Sequence, residues 1–276
     1  IVLSLRPFIS FDEKNDKWSK EYAELKETLT GSEYESARAS TLNAHYTSPV
    51  VIKAIYSTLE RIGFRAGNII DPGCGNGRFF GLLPESMAAS RLYGVELDSV
   101  TARIAQQLYP EANIAVKGFE KTDFPDAFFD LAVGNVPYGE YQLADRRYDR
   151  YKFLIHDYFF AKTLDKVRPG GLIAFLTSKG TLDKANPQVR QYLSQRAVLL
   201  GAVRLPNTAF LKNAGTEVTS DLLFFQKGPI LRNNSKRPFL WFPGRIGSCW
   251  PNRLKTDRSS GNRFPQTRPC AISVIP

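Results

Sequence analysis

Three groups of residues in this 276-residue chain have types and spacing that could act on a ligand. The first is Asp71-Pro-Gly-Cys-Gly-Asn-Gly77. It follows the apolar run Asn68-Ile69-Ile70 and precedes Arg78-Phe79-Phe80-Gly81-Leu82-Leu83, which can open a helix. Three glycines in a tight turn between a strand and a helix bring backbone N–H groups close to a ligand. A nicotinamide or flavin site would use similar physics. The second group is Tyr93-Gly-Val-Glu-Leu-Asp98, which puts an acid at the end of the next strand. The Glu96 carboxylate can accept two hydrogen bonds side by side, as from both hydroxyls of a ribose. Capping of the following helix by Glu96 or Asp98 explains the same acids. The third group, Asn135-Val-Pro-Tyr138, closes the strand Phe129-Asp-Leu-Ala-Val-Gly134. In isolation it reads as a strand-ending turn, which Asn, Pro and Gly139 suit.

In this order and spacing the three groups resemble the class I S-adenosylmethionine-dependent methyltransferases. Within them the chain is similar to the N6-adenine DNA methyltransferases, including type I modification subunits and methylase regions of large mobile-element proteins. The likeness spans roughly residues 43–227. It implies that Asp71, Gly73, Gly75 and Gly77 shape the turn under the methionine portion of S-adenosyl-L-methionine. It implies that Glu96, ahead of Asp98, holds the ribose. In the family an acid just after the third strand binds the adenine amino group and an apolar ring packs on the base. Glu120 and Phe119 fill those places here, with Asp123 the alternative because the usual Gly-Asp pair is absent. Residues His45-Tyr-Thr-Ser-Pro49 resemble the Tyr-Thr-Pro segment that lies against the methionine end, which would be Tyr46 and Thr47; helix capping alone is the other reading. His45 is read as structural.

The catalytic residues implied are Asn135, Val136, Pro137 and Tyr138. An exocyclic amine on adenine is a poor nucleophile, because its lone pair is conjugated into the ring. Attack on a methyl group requires the nitrogen to become tetrahedral while positive charge grows on it. Two acceptors aimed at its hydrogens favour that geometry and offset the charge. The Asn135 side-chain oxygen and the Val136 backbone carbonyl are the natural pair, and Tyr138 would stack on a base taken out of its helix. No general base is needed before transfer, since the proton can leave afterwards. The commonest family pattern is Asn-Pro-Pro-Tyr. Val at the second position leaves the backbone carbonyl in place, and Asn-(Ile/Leu/Val)-Pro-Tyr is also typical of ribosomal RNA adenine dimethyltransferases. The expected reaction is methyl transfer to adenine N6 in DNA. RNA adenine or protein glutamine methylation, or a truncated cofactor-binding domain without activity, are the alternatives.

Elements that would position these residues alternate along the chain. Strands are expected at 68–70, 91–96, 113–117, 129–134, 171–177, 198–204 and 219–226. Helices are expected from about 77, at 99–109, 151–167 and 187–196. Such alternation specifies an α/β fold, a mainly parallel sheet with helices on both faces. The resemblance implies a seven-stranded Rossmann-like methyltransferase sheet whose last strand, Ser220–Gln226, is antiparallel. Residues 1–42 read as an N-terminal helical cover. A helix at 14–29 puts Trp18, Tyr22, Leu25 and Leu29 on one stripe, and a second runs from Ser32 to Ala39. The resemblance implies a methyltransferase domain at 43–227, with a helix from Val50 to Ile62 capped by Thr47 or Ser48 and Pro49 in its first turn.

Residues 228–276 hold seven of the 17 prolines, nine Lys and Arg, and one acid. They read as a basic, irregular tail that carries most of the net charge of +10. The core domain is therefore nearly neutral, and charge alone does not argue for nucleic acid. DNA methyltransferases of this motif order usually carry a recognition domain after the catalytic region. A separate specificity domain or subunit is expected here. Arg146, Arg147, Arg150 and Lys152, interleaved with Tyr148 and Tyr151, could contact phosphates or simply form a solvated loop. Thr177-Ser-Lys-Gly180 could line the target pocket, and His156 reads as a packed histidine. Three cysteines are too few and scattered for a disulfide framework or a zinc site, and Cys74 reads as a small packing residue. No metal is expected, and a reducing cytoplasm suits the chain. No run of about 18 apolar residues marks a membrane span. Ile1–Leu5 is too short for a signal sequence, and the absence of an initial Met suggests a piece of a longer chain.

Overall fold

The computed structural model describes residues 19–35, 47–210, 218–228 and 272–274. The N-terminal cover is represented by α1 (Ser19–Thr28) and a helical turn over 31–35. Tyr22 of α1 meets Tyr34 edge-on at 6.3 Å, and Glu33 pairs with Arg103 of the main domain at 2.5 Å. Residues 1–18 and 36–42 lie outside the described residues, as do His45 and Tyr46.

The first long helix, α2 (Pro49–Ile62), starts where capping chemistry dictates. The Ser48 hydroxyl accepts from Val51 N–H at 3.4 Å, Pro49 occupies the first turn, and Gly63 closes the end with φ of 104°. Of the two capping candidates the cap is Ser48. Strand β1 (Asn68–Asp71) follows, then the Gly-rich turn, the short α3 (Arg78–Gly81) and β2 (Arg91–Glu96). Next come α4 (Ser99–Leu108), β3 (Asn113–Val116), β4 (Phe129–Asn135), α5 (Ile155–Lys166) and β5 (Val167–Ser178). The order closes with α6 (Gly180–Asp183), α7 (Gln188–Ser194), β6 (Ala197–Arg204), β7 (Ser220–Lys227) and β8 (Ile272–Val274).

The sheet runs β3-β2-β1-β4-β5-β7-β6-β8. Strands β1 to β5 are mutually parallel, and β7 is antiparallel to both its neighbours, β5 and β6. This is the expected seven-stranded arrangement with one addition. Three residues of the tail, Ile272–Val274, pair parallel with β6 as an eighth strand. Further boundaries differ from expectation, among them the start of β5 at Val167 rather than 171. Helix α5 begins at Ile155 rather than about 151, because Asp149–Tyr151 forms a 3₁₀ turn and Lys152 adopts a left-handed φ of 50° that ends it. The helix after the Gly-rich turn lasts only four residues.

Strand alternation divides the core into two layers. Ile69, Leu131 and Val133 pack with Ile52, Ile55, Tyr56 and Leu59 of α2 on one face. Ile70 and Ala132, the neighbouring positions, pack on the other face with Phe160 and Leu164 of α5 and with Phe175 and Phe225. Helix α5 is buried on nearly every side, and that burial includes Asp157, Lys162 and Lys166. The reversal of strand order lies between β1 and β4. A crevice at the carboxyl ends of these strands follows from that topology.

Candidate functional site

A cavity of about 430 Å³ opens at that edge, lined by residues from the ends of β1, β2 and β4. The Gly-rich turn forms its floor. Cys74 N–H donates to the Val95 carbonyl at 3.0 Å, tying the turn to β2, and Gly77 N–H closes onto the Cys74 carbonyl at 2.9 Å. Gly75 and Gly77 have φ of 54° and 80°, the left-handed region that glycine adopts without strain. A Cβ on Gly77 would also lie 2.4 Å from the Tyr109 ring. The Cys74 side chain is buried, packs beside Gly94 and has a thiol raised by burial, the state of a packing residue rather than a nucleophile.

Asp71 sits under this floor, 1% exposed. Its Oδ1 accepts from Gly73 N–H at 3.2 Å. Burial pushes its carboxyl up to about 8, with the nearby charge of Glu96 adding to the rise and the Gly73 hydrogen bond opposing it. The carboxylate reaches across to β4, where a Cβ on Gly134 would lie 2.4 Å from Oδ1. A glycine at 134 is what allows the two strand ends to approach.

The two acids after β2 have separate tasks. Asp98 caps α4, accepting from Val100 N–H and Thr101 N–H at 3.2 Å each. Glu96 faces the cavity. Its Oε2 accepts from Gly75 N–H at 2.9 Å and its Oε1 from Asp98 N–H at 2.8 Å. Burial raises its carboxyl, and those two N–H groups oppose the rise. A carboxylate offers about four lone-pair positions, so acceptor capacity remains for a ligand.

At the far side, Phe119 and Glu120 both line the cavity, whereas Asp123 is exposed and lies outside its lining. Phe119 packs against Phe159 at 5.1 Å between ring centroids. Thr47, buried, lines the opposite end, and its carbonyl accepts from Arg78 at 3.0 Å.

Asn135, Val136 and Pro137 line the same cavity. A Cβ on Gly73 would be 3.8 Å from both the Asn135 carbonyl oxygen and Pro137, so the two motifs are in direct apposition. Val136 N–H continues the sheet by donating to the Leu176 carbonyl at 3.0 Å. Tyr138 is placed differently from the stacking position expected of it. It does not line the cavity. Its hydroxyl donates to Asn135 Oδ1 at 2.9 Å and lies 3.3 Å from Ser220 Oγ of β7. Stacking on a base would require the ring to turn from this position.

Tyr141, Leu143, Ile155 and Phe159 complete the wall and were not singled out by sequence. They come from the segment after the motif and the start of α5, where nothing but their apolar character hints at the site. The basic cluster expected nearby is partly structural. Arg147 pairs with Asp126 and Asp165 at 2.9 Å, and Tyr148 is buried. Arg150 stands over the Tyr151 ring at 4.6 Å. His156 is buried with Nε2 2.9 Å from Lys184 Nζ, and burial lowers its affinity for a proton. Thr177 is occupied with Thr181 at 3.0 Å. Among the described residues, no group of three or more His, Cys, Asp or Glu could hold a metal ion, and no helix is long and apolar enough to cross a membrane.

The residues present fit S-adenosylmethionine. Glu96 presents its carboxylate to the cavity, the turn carries no side chain at Gly73 or Gly75, and Phe119 adds apolar lining. The fold is the one found in class I S-adenosylmethionine-dependent methyltransferases. It superimposes on a proposed member of that class from Listeria monocytogenes with a TM-score of 0.59 at 16% identity, over 82% of this chain and 77% of that one. It superimposes on the M protein of the type I restriction enzyme EcoKI with a TM-score of 0.54 at 16% identity, over 80% of this chain and 52% of that one. Residues 27–236 match the N-6 DNA methylase family, and the chain belongs to it. Its cofactor is S-adenosyl-L-methionine. Among curated relatives, Defense against restriction protein B of Escherichia phage P1 is 29% identical over 212 residues, which cover 75% of this chain and 9% of that protein. The chain thus spans less than a tenth of that relative's length.

Proposed function

We propose that this chain transfers a methyl group from S-adenosylmethionine to the exocyclic N6 amine of adenine in DNA. The observation that carries the reading is the apposition of Asn135-Val136-Pro137 with the Gly-rich turn and Glu96 around one cavity. Family membership supports it. In this reading Glu96 holds the ribose hydroxyls, Asp71, Gly73, Gly75 and Gly77 frame the methionine portion with Tyr46 and Thr47, and Phe119 and Glu120 receive the adenine. The bound cofactor supplies an electrophilic methyl group on a positively charged sulfur. Asn135 Oδ1 and the Val136 carbonyl accept the two hydrogens of the target amine, which favours a tetrahedral nitrogen and offsets its growing charge. The Tyr138 hydroxyl, which donates to Asn135 Oδ1 in this structure, releases that oxygen when the ring turns. Holding the amine against the methyl group supplies proximity, and proton loss follows transfer.

Pro137 fixes the backbone between these acceptors, and Tyr138 turns to stack on the extruded base. We divide the chain into a helical cover at 1–42, the catalytic domain at 43–227 and a basic tail at 228–276. Sequence recognition then falls to another domain or subunit, as for a modification subunit of a type I system, and the chain works in the cytoplasm.

The test is incorporation of tritiated methyl from S-adenosylmethionine into unmethylated DNA, total RNA and protein, compared side by side, with Asn135→Ala as the paired variant. Transfer to DNA that falls by about 10²–10³ in the variant, with cofactor affinity intact, is expected. Transfer to RNA or protein alone would replace the substrate. Cofactor binding without transfer to any of the three would mark a domain that lacks productive substrate binding.

A further inference from the structure

Helix α5 buries two lysines, and each is used in the same way. Lys162 Nζ donates to the Glu120 carbonyl at 3.1 Å and to Asp145 Oδ2 at 3.2 Å. One helical turn later, Lys166 Nζ donates to the Phe124 carbonyl at 2.6 Å and to Asp126 Oδ1 at 2.8 Å. Lysine is rarely buried, and removing an ammonium from water costs several kcal/mol that its partners only partly offset. An apolar side chain would stabilise the helix packing at lower cost. A buried ion pair of this kind is therefore better evidence for a fixed geometry than for stability.

The two lysines differ in their partners: Asp145 is largely buried whereas Asp126 is half-exposed, and the partners stand in different places. Phe124 and Asp126 do not line the cavity. Glu120 does, together with Phe119, whose ring centroid is 5.2 Å from Lys162 Nζ. Asp145 lies two residues beyond Leu143, which lines the cavity together with Tyr141. Asp145 is itself held. It accepts from the Tyr158 hydroxyl at 2.6 Å, its carbonyl accepts from Tyr148 N–H at 2.8 Å, and its N–H donates to Asp149 Oδ1 at 2.8 Å. One ammonium thus joins the segment after β3 to the segment after the Asn-Val-Pro-Tyr motif.

We propose that Lys162 is a positioning residue that clamps the Phe119–Glu120 wall to the Tyr141–Leu143 wall and so sets the width of the slot that receives the adenine of S-adenosylmethionine. The clamp rests on the placement of adenine beside Phe119 and Glu120 given above. It also ties the cofactor slot to the segment leaving the catalytic motif, so that the width of one depends on the course of the other.

The experiment titrates the unaltered protein, Lys162→Met and Lys166→Met by calorimetry, well below the melting temperature of each. The ligands are S-adenosylmethionine and 5′-methylthioadenosine, which has the base and ribose without the amino acid. Lys166→Met is the control for loss of a buried lysine from the same helix. Lys162→Met is expected to weaken both ligands by a similar factor of about ten, which is the scale of one net hydrogen bond. Lys166→Met is expected to lower the melting temperature while leaving both affinities within about twofold. Asp145→Asn, which keeps the shape and removes the charge, should weaken binding in the same direction and covers the case in which Lys162→Met does not fold. Equal affinity losses for the two lysine variants, or unchanged affinity in Lys162→Met and Asp145→Asn, would overturn the clamp. Failure of the unaltered protein to bind either ligand would overturn the cofactor placement and the clamp together.

Discussion

Replacing Glu96 by Ala tests the cofactor site most directly, and its size follows from the geometry. The carboxylate is shared between the protein and a ligand: Gly75 N–H at 2.9 Å and Asp98 N–H at 2.8 Å take one position on each oxygen. In the proposed role the two ribose hydroxyls donate to the acceptor capacity that remains. A hydrogen bond to a charged group contributes about 1.5–3 kcal/mol, so two give roughly 3–6 kcal/mol, or about 10²–10⁴ in affinity. Water entering the space left by the side chain would replace part of that, so the expected loss lies near the lower bound, about 100-fold. The assay is calorimetric titration with S-adenosylmethionine and with its 2′-deoxy analogue. Against the unaltered protein the analogue should bind more weakly. Against Glu96→Ala the two should bind alike, because the group that distinguishes them is gone. If Glu96→Ala bound S-adenosylmethionine as tightly as the unaltered protein, or still preferred it over the 2′-deoxy form by the original factor, the ribose role would be refuted.

Other expectations follow from the same geometry. Asp71 has a folded-state value raised to about 8 from an ordinary value of 3.8, so between those pH values the folded protein holds a proton that the unfolded chain has released. The associated stability is complete below about pH 4 and is lost as pH rises through about 8, and Glu96, also raised, acts in the same direction. Thermal melting of the cofactor-free protein should therefore fall from pH 5 to pH 8, and Asp71→Asn should flatten that slope. Gly77→Ala forces a side chain into left-handed backbone and against Tyr109, and denaturant titration should show a loss of about 1–3 kcal/mol. Tyr138→Ala removes the ring that turns to stack on the extruded base, so kcat/KM for DNA should drop by at least about tenfold with S-adenosylmethionine affinity unchanged, read from methyl-transfer kinetics and calorimetry.

Much of this site is legible in sequence because its groups are local. The turn at Asp71–Gly77 needs glycine for reasons internal to the turn, and strand ends supply Glu96 and Asn135 by their position alone. Where two readings share one local pattern, sequence leaves them open. Glu96 and Asp98 both follow β2, and only the three-dimensional path of α4 gives the cap to Asp98 and leaves Glu96 toward the cavity. Glu120 and Asp123 are likewise separated by the 3₁₀ turn at Phe119–Lys121, which puts one inside and the other out. The orientation of Tyr138 depends on Ser220, 82 residues away on an antiparallel strand, and no local pattern encodes it. The second wall, with Tyr141, Leu143, Ile155 and Phe159, is assembled by tertiary packing of a loop on α5. The eighth strand lies in a stretch whose composition, rich in proline and charge, reads as irregular.

The contact between Asp71 and Gly134 constrains the order in which this site can change. A methyl group at 134 has no room while the Asp71 carboxylate stands 2.4 Å from its place. Shortening Asp71 would make room but would remove the acceptor of Gly73 N–H and loosen the turn. Gly134 also precedes Asn135, so any strand shift that relieved the clash would displace the acceptor beside it. Neither single step is neutral, and the pair can exchange only through a poorer intermediate. For anyone redesigning this domain, positions 71 and 134 therefore behave as one site, to be altered together or left alone.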